Sequence, residues 1–550
     1  MNKPYYTSIK FDIVGYMMLI SLFYSIIIPG ILWWFNITIQ PYFFPLAVFI
    51  SIIHFYRHTF PIMESILFIS LLIVSIILNG IIPDMSWDGQ AYHQPMVYAL
   101  ANGWNPITDS HNPIINDLWN MNIWIDHYLR GMEISAATIF SMTGKLETGK
   151  ANNLIFLFST LMISLHWLKT SFTHLSHLKI ILYALVIACP IAFINWGFTF
   201  YIDVATYYLV FWILIIIHSV NKKNSSIFTW YLFLIVFSLA ACIKINTLFW
   251  ICYCIFFYCI YLLFIKDYKK LYYSLSLSIL SIIIVLATVN YNPIITNHID
   301  HNNPIYPLGT TYAVDINTNA MPNLLKEKNR FLQVAISLFS RPNDNMETPY
   351  LNPYHISYRY NIRSLGYGAK LGGGGLLFIE IIIISIILFL ISRKEEYKKT
   401  LKIISILFLL SLFILPFGSN YRYVPYISLL PVLLLLYTEK AGFKYNFANR
   451  IKSFCFILFL LNNIVSIPFF IRNTYLSAKS QKKAIEYIKT SKSNNSYHTK
   501  NWSFNYKLNG NHIINEEIFS DDNKNYIPIS DQYGPPIYIR VTKPSICSDI

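Results

Sequence analysis

Acidic, imidazole and aromatic side chains are concentrated in residues 83–106, PDMSWDGQAYHQPMVYALANGWNP, directly after a long apolar run. Asp88 is followed there by Tyr92 and His93. A carboxylate held among aromatic rings near lipid is partly desolvated, and desolvation makes a carboxylate a stronger base. We therefore expect Asp88 to take a proton from a hydroxyl group, with His93 close to the reaction. Tyr92 and Asp84 are expected in the same substrate-binding loop; the alternative for Asp84 is a structural turn after the apolar run.

A second set of charged side chains lies at three further turns. Asp203 begins an apolar run, where an acid that is neither used nor paired is costly. Lys244 and Arg422 lie in the short turns within ACIKINTLFW and SNYRYVPYISLLP. Together these cations can form a pocket for a phosphate-bearing leaving group. The alternative is that each side chain merely extends to lipid phosphates.

The third candidate region is YNPIITNHIDHNNPIYPLGT, residues 291–310. We expect it to form a rigid hydrogen-bonding loop over the substrate. Its two histidines and one aspartate could ligate a metal, but their spacing fits no strong metal motif. No metal site is therefore assigned, no cofactor is certain, and a divalent metal is unsupported. The remaining substrate-loop candidates, of which Trp104 has an equal structural alternative, are Trp104, His127, Asn297, Asp300, His301 and Tyr306.

The composition indicates what class of protein carries these residues. Of the 550 residues, 55% are hydrophobic and 13% are charged, and the mean hydropathy is +0.46. Soluble proteins carry about 25% charged residues, and a membrane-crossing helix needs roughly 20 apolar residues. Such runs recur, so we predict an all-α polytopic membrane protein with about thirteen transmembrane helices. The predicted spans are residues 12–34, 42–56, 62–83, 151–168, 179–195, 202–218, 226–242, 247–265, 272–290, 371–392, 402–417, 423–437 and 453–471.

The net charge of +15 has a membrane explanation. Lysine and arginine cluster in one set of short loops, for example at 222–223, 266–270 and 393–402. This is the positive-inside pattern, which predicts a cytoplasmic N-terminus. Because the pattern accounts for much of the excess charge, a nucleic-acid partner is not expected.

The same parity puts the long polar segments outside the cytoplasm. These are the loops 84–150 and 291–370 and the tail from about 472. Residues 1–471 are predicted to form the transmembrane module and residues 472–550 a small extracytoplasmic α/β appendage. In that appendage SAKSQKKAIEYIKTS is predicted as a helix and NYIPISDQYGPPIYIRV as two strands.

Local signals organise the first long loop. Pro95 is predicted to begin a short helix, which Gly103 ends as the residue after the cap. The apolar segment 131–143, GMEISAATIFSMT, is too short to span, and we expect it to lie along the membrane surface. The chain's cysteines show neither a disulfide framework nor paired zinc spacing.

Several of these segments resemble pieces of one known family. WDGQAYHQP with LANGWNP is similar to the opening of the first outer loop in the GT-C superfamily of integral-membrane glycosyltransferases. DHYLRGMEISAATIFSMTG with KANNL resembles the family's His-Tyr-Pro-Lys-Gly stretch, with Leu129 and Arg130 in place of the proline and lysine. FYIDVATY, CIKINTL, NPIITNHIDHNNPIYPL and RYVPYISLLP look like further pieces in the family's order, over residues 62–437.

The resemblance implies a function and roles for particular residues. Asp88 would be the catalytic carboxylate and Asp203 an auxiliary acid. Lys244, Arg130 and Arg422 would contact the phosphate or the sugar donor. The implied activity is transfer of a sugar from a polyprenyl-phosphate carrier to a glycan or glycolipid acceptor outside the cytoplasm, as in bacterial cell-surface polysaccharide synthesis. The implied location is the bacterial inner membrane, with membrane lipid around the chain.

Three alternatives remain open from the sequence, one of them a noncatalytic membrane scaffold. A polymerase or ligase of lipid-linked repeat units, as for O-antigen, would share the donor chemistry. A transporter or flippase of lipid-linked sugars belongs to a different class and would place charges in the middle of broken helices. An essential Glu380, in the middle of the predicted span 371–392, would favour transport.

Overall fold

The computed structural model describes most of the chain. Described are residues 9–490 except 57–60, 85, 87, 115–120, 223–225, 310–320, 322, 341–372, 394–397, 415–417 and 419, together with 497–499, 526–528 and 537–540. Much of the predicted second outer loop and nearly all of the predicted tail beyond 490 therefore lie outside the described residues.

The described chain is mostly helical. The first half contains α1 (Phe11–Leu32), α2 (Phe43–Ile53), α3 (Ile62–Ile81), α4 (Gln94–Ala101), α5 (Asn122–His127), α6 (Gly131–Thr143), α7 (Ala151–Ser171), α8 (His177–Ala188), α9 (Ile191–Trp196), α10 (Asp203–Val220), α11 (Ile227–Ile243), α12 (Ile245–Phe264) and α13 (Tyr268–Ala287). The second half contains α14 (Thr296–His301), α15 (Asn323–Lys326), α16 (Arg330–Phe339), α17 (Phe378–Ile391), α18 (Lys398–Ile414), α19 (Leu429–Ala441) and α20 (Asn446–Thr490).

Within the described residues, seven helices are long and apolar enough to cross a membrane. They are the stretches Phe11–Phe35, Ile62–Ile81, Leu146–Ser171, Asp203–Val220, Ile245–Phe264, Tyr268–Ala287 and Asn446–Val465. Each matches one predicted span. Five other predicted spans coincide with the shorter apolar helices α2, α8, α11, α17 and the part of α18 from Leu401. The one remaining predicted span, 423–437, overlaps α19. The all-α membrane architecture is thus confirmed, and the count of thirteen stays a prediction.

The helices pack around α1 and α7, and their outer faces are apolar. Gly15 of α1 lies against α7: a Cβ there would be 3.0 Å from the carbonyl oxygen of Ser159, whose hydroxyl donates to the Gly15 carbonyl at 2.8 Å. Small residues allow helix backbones to approach closely within membranes. On α3 and α13 large side chains such as Ile77 and Ile279 are more than half exposed. Such faces suit contact with lipid tails.

Helix α6 corrects one expectation about the first outer loop. Every residue from Gly131 to Phe140 is buried, and α6 packs against α1, α4, α7 and α11. It therefore lies inside the bundle and not along the membrane surface. The physical reason is that small and apolar residues occur all around this helix, and a helix without a polar face is buried.

Helix α4 confirms another expectation. It includes Pro95 in its first turn, ends at Ala101 and is followed by Gly103 with φ +109°. Only glycine adopts this backbone region without strain. The helix is preceded by a π-helical segment, Gly89–His93, which the sequence did not predict.

Helix α20 and the strands replace the simple boundary expected near residue 472. Helix α20 has 45 residues, so it continues without a break from the last span through the helix expected in the tail. At 1.5 Å per residue it is about 68 Å long, roughly twice the thickness of a bilayer core. Three short strands follow, β1 (Tyr497–Thr499), β2 (Tyr526–Pro528) and β3 (Ile537–Arg540), in an antiparallel sheet of order β1-β3-β2.

Candidate active site

Two buried acids and two partly buried cations from distant parts of the chain form one cluster. The guanidinium of Arg422 contacts the carboxylate of Asp88 through Nη2, and its Nε lies 3.1 Å from Oδ2 of Asp203. The ammonium of Lys244 contacts the other carboxylate oxygen of Asp203. The chain of contacts is therefore Asp88–Arg422–Asp203–Lys244, with two negative and two positive charges. We call these four residues the charge cluster.

Helix ends position the charge cluster. Asp203 is the first residue of α10, where the helix dipole favours a negative charge. Lys244 is the single extended residue between α11 and α12. Arg422 belongs to a 3₁₀ turn, Tyr421–Tyr423, that follows α18 and whose first amides are capped by Asn420. Asp88 follows α3 and precedes the π-helical segment. Because these groups touch, the corresponding helix ends lie on the same side of the bundle.

Tyrosine rings line the charge cluster. The Arg422 guanidinium lies 4.2 Å from the ring centre of Tyr201, and the Lys244 ammonium lies 5.1 Å from that of Tyr423. Such cation–π contacts stabilise charges that are removed from water. Tyr92 and Tyr128, whose ring centres are 6.1 Å apart, also lie close to Asp88 and Arg422.

Burial and ion pairing set the protonation of the cations and phenols. Burial lowers the pKa of Arg422, but the carboxylates of Asp203 and Asp88 outweigh burial and raise that pKa well above its ordinary value. Burial lowers the pKa of Lys244, and Asp203 opposes this. Burial, and then the Asp88 charge, raise the pKa of Tyr92 and Tyr201 well above the usual range. These phenols are therefore neutral hydrogen-bond donors at physiological pH.

Asp88 is paired with a cation, which the sequence did not indicate. Its side chain is largely buried, as expected, but Arg422 occupies one of its oxygens. A carboxylate oxygen that contacts a guanidinium cannot approach a hydroxyl group until the pair opens. Any role as a base therefore depends on what draws Arg422 away.

His93 lies on the same helical turn as Asp88. It is the last residue of the π-helical segment, in which hydrogen bonds join residues five apart. Its ring lies 4.3 Å from that of Tyr92, and its Nδ1 is 2.5 Å from Oε1 of Glu133 on α6. Both His93 and Glu133 are almost fully buried.

Asp84 joins the first loop to the segment that precedes α10. Its side chain is fully buried and accepts hydrogen bonds from the amides of Ser86 at 2.7 Å and Phe200 at 2.7 Å. Gly89 packs directly on it, since a Cβ at Gly89 would collide with the Asp84 carboxylate and the Ser86 hydroxyl. The geometry favours the structural alternative for Asp84.

Asn153 of α7 holds the same segment from the other side. Its side-chain amide donates to the carbonyl oxygens of Trp196 at 3.3 Å, Thr199 at 3.0 Å and Tyr201 at 3.2 Å. A single NH₂ group thus fixes the turn that carries Tyr201 and leads into Asp203. Asn153 lies in KANNL, and no local sequence signal distinguishes it from other asparagines near a helix start.

Arg130 has partners different from those of Lys244 and Arg422, the other predicted phosphate contacts. It is fully buried, its guanidinium is 4.6 Å from the ring centre of Trp104, and its Nη2 donates to the carbonyl of Asp126 at 2.6 Å and to Asn292 at 3.0 Å. Burial lowers its pKa to about 10, so it stays charged at neutral pH. In this arrangement Arg130 joins the first outer loop to the segment after α13, and Trp104 has a packing role.

The remaining predicted substrate residues form a junction between the two outer loops. The Nδ1 of His127 lies 2.6 Å from Oδ1 of Asn297, and the Asn297 amide donates to the carbonyl oxygens of His127 and Tyr306. The ring of His301 stacks on Tyr306 with centres 3.8 Å apart. Asp300 is exposed beside them. Within the described residues no group of three or more histidine, cysteine or acidic side chains could hold a metal ion.

No protein-family model matches the chain, and no curated protein matches its sequence.

Proposed function

We propose that this chain is a membrane glycosyltransferase that uses a sugar carried on a polyprenyl phosphate. The observation that supports this best is the charge cluster, in which two partly buried cations and two buried acids meet at the ends of apolar helices. Buried charges in a membrane protein are costly and are retained where they bind or move charged ligands. A lipid phosphate can place its anionic group at these helix ends while its tail stays in the bilayer.

Arg422 and Lys244 are the proposed phosphate contacts. Arginine binds phosphate with two parallel N–H groups, and lysine adds a point charge. A phosphate group that engages Arg422 competes with Asp88 for its guanidinium. The Asp203 carboxylate keeps Lys244 and Arg422 together, which makes Asp203 an auxiliary acid that positions both cations.

Release of Asp88 from Arg422 provides the base. An acceptor hydroxyl gives its proton to the Asp88 carboxylate while its oxygen bonds to the anomeric carbon of the donor sugar. The bond from that carbon to the phosphate oxygen breaks, and the electron pair leaves with the phosphate, where Arg422 and Lys244 stabilise the developing charge. A base typically contributes about 10²–10⁴-fold to such a step. Because this is a single displacement, the product has inverted anomeric configuration.

The cellular setting follows from the same proposal. The acceptor is an extracytoplasmic glycan or glycolipid of the cell surface, such as a capsule, O-antigen or lipopolysaccharide, and the site faces the periplasm of a bacterial inner membrane.

Thirteen spans and an appendage formed by the C-terminal sheet are the finer parts of the proposed fold. An O-antigen-type polymerase or ligase shares the same donor chemistry and differs only in the size of the unit transferred.

One observation bears on the transporter alternative. Glu380 lies in the first turn of α17, which begins at Phe378, and so stands near a helix end and not in the middle of a span. Transporters tend to place their working charges at the midplane on broken helices. The position of Glu380 therefore gives transport no specific support.

Binding of the carrier tests the proposal directly. Purified protein in lipid nanodiscs is titrated with undecaprenyl phosphate. Arg422→Gln and Lys244→Gln should each weaken binding by about tenfold or more, since each removes a charge-assisted contact. Lys145→Gln, at an exposed lysine of the first outer loop, is the matched control and should bind as wild type does. Equal affinity in all four proteins would refute the assignment of the charge cluster as the phosphate site.

A further inference from the structure

The pairing of His93 with Glu133 has no role in the chemistry described so far. The two side chains come from different elements, the π-helical segment and α6, and meet with 2.5 Å between Nδ1 and Oε1. His93 is 3% exposed and Glu133 is 2% exposed. Within the described chain Nε2 of His93 makes no hydrogen bond, and Oε2 of Glu133 makes none either. The pair is therefore isolated from solvent on its carboxylate side.

The pair is adjacent to the charge cluster. Asp88 and His93 are five residues apart across a π-helical turn, and such a turn joins backbone groups five residues apart by hydrogen bonds. Tyr92, whose ring packs on His93, is close enough to Asp88 and Arg422 for both charges to affect it. The two nitrogens of an imidazole point away from each other, so the one that faces Glu133 leaves the other directed away from α6.

A carboxylate beside one ring nitrogen decides which nitrogen carries the proton. An ionised carboxylate only accepts hydrogen bonds, so the imidazole must present an N–H to it. The second nitrogen then has a free lone pair, as when a buried carboxylate holds a histidine in one tautomer. Among the described residues, the charged or titratable groups close to Glu133 include Arg130, three residues earlier, and Cys242 of α11. Arg130 is thus a source of positive charge for Glu133 besides His93.

We propose that Glu133 is a positioning residue that holds His93 as the neutral Nδ1–H tautomer, and that Nε2 accepts a hydrogen bond from a hydroxyl of the acceptor sugar. The role of Nε2 rests on the proposed glycosyltransferase function, and the tautomer does not. With Asp88 taking the proton from the attacking hydroxyl, His93 binds a neighbouring hydroxyl. The site thus selects an acceptor with two adjacent hydroxyl groups, as in a sugar ring.

The tautomer is measured without any substrate. Protein labelled with ¹⁵N-histidine is studied by NMR in nanodiscs near pH 7.5, and the His93 signals are identified as those missing from His93→Asn. The proposal expects a protonated Nδ1 and an unprotonated Nε2 at His93. Glu133→Met, which removes the carboxylate but keeps much of the side-chain length, should abolish this preference. A proton on Nε2 in the wild type, whether as the other tautomer or as imidazolium, would overturn the proposal even if the chain transfers sugars.

The rate of sugar transfer separates positioning from packing. Glu133→Gln keeps an oxygen that can accept from Nδ1–H, whereas Glu133→Met keeps only bulk. We expect transfer in the order wild type, Gln, Met, with Met at least about tenfold below Gln, the effect of roughly one buried hydrogen bond. Equal rates for Gln and Met, at equal membrane abundance, would show that Glu133 acts only by filling space. A wild type with the expected tautomer but no transfer activity would instead refute the proposed function and the hydroxyl contact, leaving Glu133 as the positioning residue.

Discussion

Arg422 pairs with Asp88 across 334 positions of the sequence. The same guanidinium also contacts Asp203, so one side chain holds the carboxylate proposed as the base and the acid proposed to organise the cations. In this arrangement the site is closed to proton transfer. In the proposed mechanism an anionic ligand that attracts Arg422 releases Asp88, which would link donor binding to activation of the acceptor.

The first prediction concerns the energy of this pair. Arg422→Gln leaves the buried Asp88 without its cation and should destabilise the protein by about 3–5 kcal/mol. Asp88→Asn should cost less, because Arg422 keeps Asp203 as a partner. In the double variant the uncompensated charge is absent, so the combined loss should fall short of the sum by about 0.5–3 kcal/mol. Thermal unfolding in nanodiscs measures all four proteins. Additive losses would show that the two side chains do not interact in the folded protein.

A second prediction concerns Asn153, which organises the turn before α10. In Asn153→Asp a carboxylate oxygen replaces the amide that donates to three carbonyl oxygens, so attraction becomes repulsion. We expect a loss of about 1–3 kcal/mol in stability and a loss of transfer activity, since Tyr201 and Asp203 depend on this turn. Asn302→Asp, at an exposed asparagine, is the control for the added charge and should change neither quantity. Wild-type behaviour of Asn153→Asp would contradict the assigned role.

The third prediction is a pH dependence at the junction of the two outer loops. Burial lowers the pKa of His127 below its ordinary value of 6.5, although the bond to Asn297 opposes this. The separated loops therefore bind more protons than the joined loops at pH values between the lowered pKa and 6.5. The stability that His127 contributes is fully present above 6.5 and is lost as the pH falls through that window.

Hydrogen exchange measures this effect in α5 and α14. After correction for intrinsic exchange rates, protection should be lower near pH 5.5 than near pH 7.5. His127→Asn should remove most of this difference. His301→Asn is the control for the stacked neighbour. His111, whose Nδ1 lies 3.2 Å from the Asp126 carboxylate, is the other imidazole that packs on His127. Protection that is independent of pH in the wild type would contradict the role of His127.

Hydropathy predicted the helical membrane fold well because apolar length is a local property of the sequence. The same reasoning misplaced α6, since length alone does not distinguish a buried short helix from one on the membrane surface. It also divided α20 near residue 472, where the composition becomes polar while the helix continues. Polarity changes where a helix leaves lipid, and this need not end the helix.

The residues of the charge cluster were recognisable one at a time, each as a charge out of place beside an apolar run. Their connection was not, because the pairing of Arg422 with Asp88 depends on the packing of α3, α10 and α18 ends. Glu133 and Asn153 gave no local signal for the same reason. Their partners lie in elements 40 or more residues away.

The most direct test of the account compares wild type, Asp88→Asn and the control Asp109→Asn, at an exposed aspartate, in cells. The sugar composition, linkages and size ladder of the surface polysaccharide are measured at equal membrane abundance of each protein. The account predicts that Asp88→Asn loses one sugar or one linkage, with transfer reduced about 10²–10⁴-fold, while Asp109→Asn matches wild type. Collapse of the ladder to a single repeat would identify a polymerase instead. A polysaccharide unchanged by Asp88→Asn would contradict the central claim that Asp88 is the base of a sugar transfer.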